Sequence, residues 1–513
     1  MNTRTENTLR NVKWNLFYKI VILLFPFLIK TLLIQKLGIE YLGLSGLFTS
    51  ILTVLSLAEL GFSSAIIYSL YKPVADNDAK KICALLSYYQ KIYRIIGIII
   101  LIVGLAFLPF LKYLIKGELP SDINVYLLYL IYLINTVISY LLFSYKSCII
   151  AVYQRNDLLS KINFISKIFL YIFQSVLLLL YANYYLYVLV FPLSTVILNL
   201  LTLFISKKYF PSCIAFGEID TETRNEIKKQ VKGILVGKIC SVLESSLDII
   251  AISWLIGLKE VGMFNNYMYI QQSVIAVLAI FPESMQASIG NCIATDGKEK
   301  NYNDFVKFNF IYMFIASVCV VCIYCLTQEF ITLWIGKEFL FSNEILVLFC
   351  VYFFVLKNGD IISSYFGSAG LYKYGKRAYI LEVCLNLVLN ILLGKLWGIS
   401  GILIATIFSL AITNIGILPK IVFEKYFCKK IAVFYLQSFF YFFATILVAF
   451  LLSSVFSIFK FFHAELLCFL LKGVCTFVLS CFLLCVLYFK LPFFKSSLNF
   501  VKEIFKNLLK KQK

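Results

Sequence analysis

Ionisable side chains lie inside long apolar runs of this sequence. A charge at membrane depth is costly unless it has a partner or faces a hydrated cavity, so each one is a candidate for function. Four lysines and six acids fit this description: Lys19, Lys30, Lys167, Lys357, Glu59, Glu244, Asp248, Glu283, Asp360 and Glu382. Amides in the same runs extend the polar faces: Asn163, Gln174, Gln272 and Asn386.

These residue types favour ion and headgroup binding over covalent chemistry. The lysines are candidates for holding an anionic headgroup, and the carboxylates can bind H⁺ or Na⁺ for coupling. Other interpretations stay open: Lys19 and Lys30 can extend to the membrane interfaces, and the amides can join helices. Lys357 and Asp360 can form a buried salt bridge, which contributes little net stability but suits a switch. Because the residues are so numerous, we expect them to line a hydrated central cavity.

Neither a catalytic nor a metal site is expected, and no cofactor beyond the coupling ion. The sequence has one histidine, His463, which falls in a predicted short loop. Cys319, Cys322 and Cys325 recur every three residues, but no histidine stands near them in sequence. Free cysteine behaves as a small apolar residue, so this trio is interpreted as packing.

The composition requires a membrane environment for the helices that carry these residues. Of 513 residues, 61% are hydrophobic and 14% are charged, whereas a soluble domain has about a quarter charged residues. The net charge of +20 comes from basic residues between apolar runs, which is typical of topology signals and not of a nucleic-acid surface. We expect an all-α polytopic membrane protein, because a helix satisfies its own backbone in lipid.

About fourteen spans are predicted. The third, ninth and thirteenth of them have almost no polar residues along one helical face. The predicted bounds are 14–35, 44–70, 90–114, 123–147, 158–181, 184–206, 234–257, 262–290, 305–327, 343–367, 377–394, 400–423, 432–459 and 464–488. Lys and Arg concentrate in the loops on the N-terminal side, which predicts that both termini are cytoplasmic.

An internal repeat divides the chain. Residues 38–43 match residues 257–262 at an offset of 219 residues, and two further loop pairs match at the same offset. Six spans separate each pair, so the repeats are parallel, as in two-lobed alternating-access transporters. The predicted domains are an N-terminal lobe (1–206), a cytoplasmic linker (207–233), a C-terminal lobe (234–431), two additional helices (432–488) and a basic cytoplasmic tail (489–513).

Four motifs are distinctive: Gly38-Ile39-Glu40-Tyr41-Leu42-Gly43, Leu55-Ser56-Leu57-Ala58-Glu59-Leu60-Gly61, Tyr68-Ser69-Leu70-Tyr71-Lys72-Pro73 and Gly398-Ile399-Ser400-Gly401. They resemble motifs of bacterial polysaccharide or O-antigen flippases, in the superfamily that includes multidrug extruders and the lipid II flippase. The resemblance implies a MATE-like fold with two six-helix lobes. It also implies translocation of undecaprenyl-diphosphate-linked oligosaccharide across a bacterial inner membrane, with a cationic cavity for the headgroup.

The partners that follow from this resemblance are the lipid-linked substrate, membrane lipids and polysaccharide polymerase or assembly proteins. We expect no nucleic acid and no enzymatic activity. Three alternatives remain: a cation-coupled drug or metabolite exporter of the same fold, lipid II transport, and a membrane-embedded glycan polymerase. The polymerase ranks lowest, because the predicted extracytoplasmic loops are too short for a periplasmic active site.

Overall fold

The computed structural model describes residues 4–59, 61–117, 119–458, 465–491, 493–500 and 502. His463 and the tail beyond residue 502 lie outside these residues. In the described part of the chain the regular secondary structure is helical. Each of the fourteen predicted spans is helical over most of its described residues, which confirms the all-α fold.

Two compact units divide the chain, Met1–Asn265 and Asn266–Lys513. The first contains α1 (Arg4–Lys36), α2 (Ile39–Leu55), α3 (Phe62–Ala75), α4 (Ala79–Phe107), α5 (Val125–Leu141), α6 (Ser147–Val152), α7 (Asn156–Tyr181), α8 (Tyr184–Tyr209) and α9 (Thr221–Leu255). The boundary falls inside α10 (Leu258–Leu278). The second contains α11 (Ile280–Thr295), α12 (Lys298–Trp334), α13 (Asn343–Asn358), α14 (Asp360–Ser368), α15 (Tyr372–Leu410), α16 (Leu418–Val422), α17 (Ala432–Ile458) and α18 (Glu465–Tyr488).

Membrane-length helices are present in both units. Nine helices in the described residues are long and apolar enough to cross a bilayer, or ten if a bent pair counts as one span. That pair is Val125–Leu141 with Ser144–Val152, bent by 46°. The chain is therefore a multi-pass membrane protein, and the lobe bounds and sidedness given above stay predictions.

The repeat offset persists in the helix bounds. Ile39 and Leu258 begin α2 and α10, and Ala79 and Lys298 begin α4 and α12, each pair 219 positions apart. The breaks also correspond, because spans 2, 4, 8 and 10 are each divided into two helices. The sequence predicted each of these as a continuous span. Discontinuous helices at equivalent places in two repeats are a feature of transporters whose binding sites lie at mid-membrane depth.

Two glycines at equivalent repeat positions make equivalent close contacts within the first unit. A Cβ atom on Gly43 would lie 2.1 Å from the carbonyl oxygen of Leu258. A Cβ atom on Gly262 would lie 2.5 Å from the carbonyl oxygen of Ile39. Gly43 and Gly262 are 219 positions apart, as are Ile39 and Leu258, so the two contacts are related by the repeat. Only glycine permits backbones to approach this closely.

The region of the predicted linker, 207–233, is partly helical. Helix α8 continues to Tyr209 and α9 starts at Thr221, so only the residues between them are non-helical. Asp220 caps α9 by accepting hydrogen bonds from the Thr223 backbone nitrogen at 2.8 Å and the Thr223 hydroxyl at 2.7 Å. These bonds hold the pKa of Asp220 below its ordinary value.

Candidate functional site

The first polar cluster surrounds Glu59, at the break in span 2. It ends a 3₁₀ turn, Ser56–Glu59, between α2 and α3. Gly61 follows with φ +96°, a left-handed conformation that glycine adopts readily. Tyr93 donates to Oε1 of Glu59 at 2.5 Å, and Tyr140 donates to Oε2 at 2.6 Å. The sequence predicted Glu59 on a continuous helical face, and the structure places it in a turn held by α4 and α5.

Close packing of α4 on α5 brings these hydroxyl groups together. A Cβ atom on Gly97 would lie 3.0 Å from Cβ of Tyr140, so this glycine makes room for the tyrosine one turn beyond Tyr93. Tyr89 extends the cluster, because its hydroxyl donates to the Tyr93 hydroxyl at 2.8 Å. Tyr89, Tyr93 and Tyr140 are all buried.

Lys357 and Asp360 form the second cluster, in the second unit. Their side chains make a salt bridge of 2.7 Å across the break between α13 and α14. Lys357 is 4% exposed and the Asp360 side chain 24% exposed. Tyr312 of α12 also donates to Asp360. The salt bridge anticipated from sequence is therefore present, so this lysine's charge is already neutralised.

Lys19 and Lys167 lie at a similar depth on α1 and α7, two helices that pack against each other. Lys161 lies over the Trp14 ring at 4.7 Å, and Phe25 stacks on Tyr171 at 5.7 Å. These two contacts show that the helices run in parallel and set their register. By that register Lys19 is within about one helical turn of the level of Lys167. Both lysines are half-buried.

Lys30 lies further along α1, nearer the level of Gln174. It is half-buried. Gln174 is 1% exposed and donates to the Tyr187 carbonyl at 3.3 Å, which joins α7 to α8. Asn163 donates to the Leu159 carbonyl of its own helix at 2.9 Å. The Gln174 amide therefore joins two helices, whereas the Asn163 amide bonds within its own helix.

The remaining candidates are distributed between α9, α10, α11 and α15. On α9, Asp248 is buried and Glu244 half-buried, one turn apart. Gln272 and Glu283 are exposed on α10 and α11. Glu382 is 6% exposed on α15. The structure brings neither Gln272 nor Glu283 into the two clusters described above.

Asn386 lies inside a helical hairpin. Helix α15 reverses at Gly398, which has φ 58° and ψ −132°, so its two halves correspond to predicted spans 11 and 12. Asn386 donates to the Thr406 hydroxyl at 3.1 Å and accepts from Asn390 at 3.0 Å. A Cβ atom on Gly401 would lie 2.0 Å from the Leu393 carbonyl oxygen, so the halves are in close contact.

Asn386→Ala is expected to lower the free energy of unfolding by about 1 kcal/mol, since interhelical hydrogen bonds in membranes contribute about that much. Asn163→Ala is the matched control, because its amide bonds to a carbonyl of its own helix. Thermal melting of the two purified variants checks this. Equal melting temperatures would show that the hairpin does not depend on Asn386.

The tyrosines are the functional candidates that sequence reasoning missed. Spans 3 and 9 are predicted to be almost free of polar residues, yet they supply Tyr93 and Tyr312 to the two clusters, and Tyr89 lies one residue before span 3. Tyrosine was counted as apolar. The spacing of Tyr89 and Tyr93 at i and i+4 was the one available signal, because that spacing places two hydroxyl groups on one helical face.

No metal-binding group was found in the described part of the chain: no three His, Cys, Asp or Glu residues there are placed to hold an ion. The cysteines at positions 319, 322 and 325 are half-buried in α12.

Comparison with known proteins gives the fold. No family model and no curated protein matches the sequence. Among solved structures, the lipid II flippase MurJ in an inward closed conformation superposes with a TM-score of 0.66 at 17% identity, covering 94% of this chain and 99% of MurJ. An inward-facing multidrug resistance MATE family transporter of the MOP superfamily has a TM-score of 0.61 at 15% identity, over 76% of this chain and 92% of the transporter.

A third similar structure is a mutant form of the Vibrio cholerae MATE transporter VcmN. It has a TM-score of 0.55 at 11% identity, over 83% of this chain and 99% of VcmN. The chain is thus an all-α polytopic membrane protein with the fold shared by MurJ and MATE transporters. Its assignment to the polysaccharide or O-antigen branch remains a prediction from the motifs.

Proposed function

We propose that this protein is a flippase that moves a lipid-linked oligosaccharide between membrane leaflets by alternating access, and that it is not an enzyme. The observation that carries the proposal is the pair of half-buried lysines, Lys19 and Lys167, at a similar depth on the neighbouring helices α1 and α7. A diphosphate headgroup needs cationic partners inside the membrane, and lysine attracts phosphate as a point charge. The fold shared with a lipid II flippase supports the same class of substrate.

Alternating access requires a contact that closes one side of the transporter. The two glycine contacts related by the repeat supply such a contact. Gly43 and Gly262 lie at the N-terminal ends of spans 2 and 8, on the side opposite the N-terminus by the predicted topology. With cytoplasmic termini, this contact closes the extracytoplasmic side and separates when the substrate leaves. We assign the chain to the bacterial inner membrane and the substrate to undecaprenyl-diphosphate-linked oligosaccharide for surface polysaccharide. Polysaccharide polymerase or assembly proteins are the partners we propose.

Lys19→Ala/Lys167→Ala is expected to reduce translocation of labelled glycan lipid at least about tenfold, equal to about 1.4 kcal/mol of lost headgroup binding. The assay follows the label from one leaflet to the other in vesicles that contain purified protein. Lys208→Ala is the control, because this residue is exposed at the end of α8. Normal translocation by the double variant would remove both lysines from the substrate site.

A cation exporter of the same fold is the second candidate. The Glu244 and Asp248 pair and the MATE-like neighbours favour it. It predicts that the same vesicles transport a cationic dye and leave the glycan lipid in its original leaflet. The two substrates therefore separate the candidates in one preparation.

A further inference from the structure

Lys146 is a buried lysine that is not paired with an acid. It ends the 3₁₀ turn Ser144–Lys146, at the bend between α5 and α6, and is 7% exposed. In the described part of the chain, neither a salt bridge nor a hydrogen bond reaches its ammonium group. Asn199 of α8 holds the turn by accepting hydrogen bonds from the Phe143 backbone nitrogen at 2.9 Å and the Ser144 hydroxyl at 3.0 Å. A lysine held at this burial without a counter-charge is a candidate for binding an anion.

Lys207 brings a second positive charge to the same place. It lies in the last turn of α8 and is exposed. The two ammonium groups are close enough for the charge of Lys207 to act on Lys146. Predicted spans 123–147 and 184–206 end beside these two lysines, so both lie at one membrane surface, the cytoplasmic one by the predicted topology. An anion bound between them would replace their repulsion by attraction.

The acids nearest to these lysines in sequence have other partners. Asp157 pairs with Arg155 at 2.9 Å, and Glu218 pairs with Lys91 at 3.1 Å. Asp220 caps the start of α9. These three carboxylates are therefore engaged and leave the charges of the two lysines to an external anion.

The segment between α8 and α9 presents two apolar side chains outward. Ile214 is 61% exposed and Phe216 is 78% exposed, whereas the side chain of Cys213 is buried. The Phe216 backbone nitrogen donates to the Cys83 carbonyl at 3.2 Å, and the Cys83 thiol donates to the Ser212 carbonyl at 3.4 Å. These bonds hold the segment against α4 with its apolar pair facing away from the protein.

A ring contact places this segment at the level where the spans end. Phe210 stacks on Tyr153 at 4.6 Å. Tyr153 directly follows α6, the short helix that begins where predicted span 123–147 ends. Exposed apolar side chains next to lysines at a membrane surface are typical of segments that insert into an anionic leaflet.

We propose that Lys146 and Lys207 bind the phosphate of an anionic phospholipid in the cytoplasmic leaflet, while Ile214 and Phe216 insert into that leaflet beside it. The lysines attract the headgroup phosphate as point charges. The apolar pair favours a bilayer lipid over a soluble anion. The site uses none of the lysines proposed for the transported headgroup, and it does not depend on the identity of the transported substrate. A bound phospholipid attaches the connection between α8 and α9 to the membrane surface.

The test measures how much phosphatidylglycerol is needed for a half-maximal rise in the melting temperature of the purified full chain in neutral detergent. We expect the wild type to respond at much lower concentrations of phosphatidylglycerol than of phosphatidylcholine, and not to respond to inorganic phosphate. Lys146→Met/Lys207→Gln should need at least about tenfold more phosphatidylglycerol, since each lysine at an anionic surface contributes about a factor of five.

Three results would overturn the proposal. The first is an unchanged phosphatidylglycerol requirement in the double variant, or an equal response of the wild type to phosphatidylcholine. The second is a response to inorganic phosphate at the same concentration, which would indicate a site for a soluble anion. The third is displacement of phosphatidylglycerol by a lower concentration of undecaprenyl-diphosphate oligosaccharide, which would assign the site to the transported lipid.

A matched pair of single variants covers the case in which Lys146→Met does not fold. Lys207→Gln changes an exposed side chain and should raise the phosphatidylglycerol requirement about fivefold. Lys208→Gln is the control, because Lys208 is the next residue of α8 and is equally classed as exposed. Equal requirements in the two variants would contradict a site built around Lys207.

Insertion of the apolar pair has its own measurement. Hydrogen exchange of residues 210–219 is compared in bilayer discs of phosphatidylglycerol and of phosphatidylcholine. We expect lower deuterium uptake in phosphatidylglycerol for the wild type and no difference between the lipids for Lys146→Met/Lys207→Gln. Equal uptake of the wild type in both lipids would contradict the insertion of Ile214 and Phe216.

Discussion

Gly43→Ala and Gly262→Ala are each expected to reduce glycan-lipid translocation at least about tenfold and to lower stability by about 1–3 kcal/mol, the usual cost of overpacking. The added methyl groups would lie 2.1 and 2.5 Å from backbone carbonyl oxygens. A backbone carbonyl cannot rotate away as a flexible side chain does, so the N-terminal ends of α2 and α10 must separate. If the contact closes one side of the transporter, both variants hold that side open.

Gly290→Ala is the control for this pair. Gly290 is also helical, and a Cβ atom there would meet no atom of the described residues within 4 Å. Accessibility of the segment before α2 to a membrane-impermeant label reports whether the contact has opened. Equal labelling and full translocation in Gly43→Ala would show that the contact neither closes a pathway nor limits the cycle.

Lys357→Met is expected to lower the free energy of unfolding by about 3–5 kcal/mol, because removing one partner of a buried ion pair leaves the other charge uncompensated. Asp360 is 24% exposed, so the loss should fall near the lower value. Lys357→Met/Asp360→Asn removes both charges and should recover most of the stability. Thermal melting of the purified single and double variants gives the comparison.

The chain contains a matched control for this pair. Lys307 and Asp304 have the same i, i+3 spacing on α12 and lie 3.2 Å apart, and Lys307 is more accessible than Lys357. Lys307→Met should therefore cost no more than about 1 kcal/mol. If Lys357→Met were equally mild, burial of the Lys357–Asp360 pair would not govern its contribution.

Translocation by the double variant also shows whether the Lys357–Asp360 ion pair serves function or stability. Translocation that fails in Lys357→Met/Asp360→Asn despite recovered stability would assign the ion pair to the transport cycle. Translocation that recovers together with stability would make the pair structural. The double variant thus distinguishes the switch interpretation from the structural one without knowledge of the substrate.

The helices were predictable from sequence because apolar length alone specifies them. Each predicted span coincides with helix in the described residues, and the 219-residue offset reappears in the starts of α2 and α10. The breaks were not predictable in this way. Gly61, residues 142–146 and Gly359 each lie inside one predicted span of membrane length, and length alone does not separate a bent span from a straight one.

Part of the candidate site was predictable for a related reason. Ionisable residues in apolar runs are conspicuous, and this identified Glu59, Lys357 and Asp360. The tyrosine partners of Glu59 and Asp360 were not found, because tyrosine fits an apolar helix as readily as phenylalanine and shows its polarity only when the hydroxyl meets an acceptor. Asn386 was also conspicuous as a polar residue in an apolar run, but its buried amide joins the two halves of α15.

Leaflet translocation by the purified protein tests the central claim most directly. Vesicles containing only this chain and a labelled undecaprenyl-diphosphate oligosaccharide are treated with a membrane-impermeant reagent that destroys label in the outer leaflet. The account predicts that protein-containing vesicles lose label from both leaflets, whereas protein-free vesicles lose only the outer half. Protection of the inner half in the presence of correctly folded protein would contradict it.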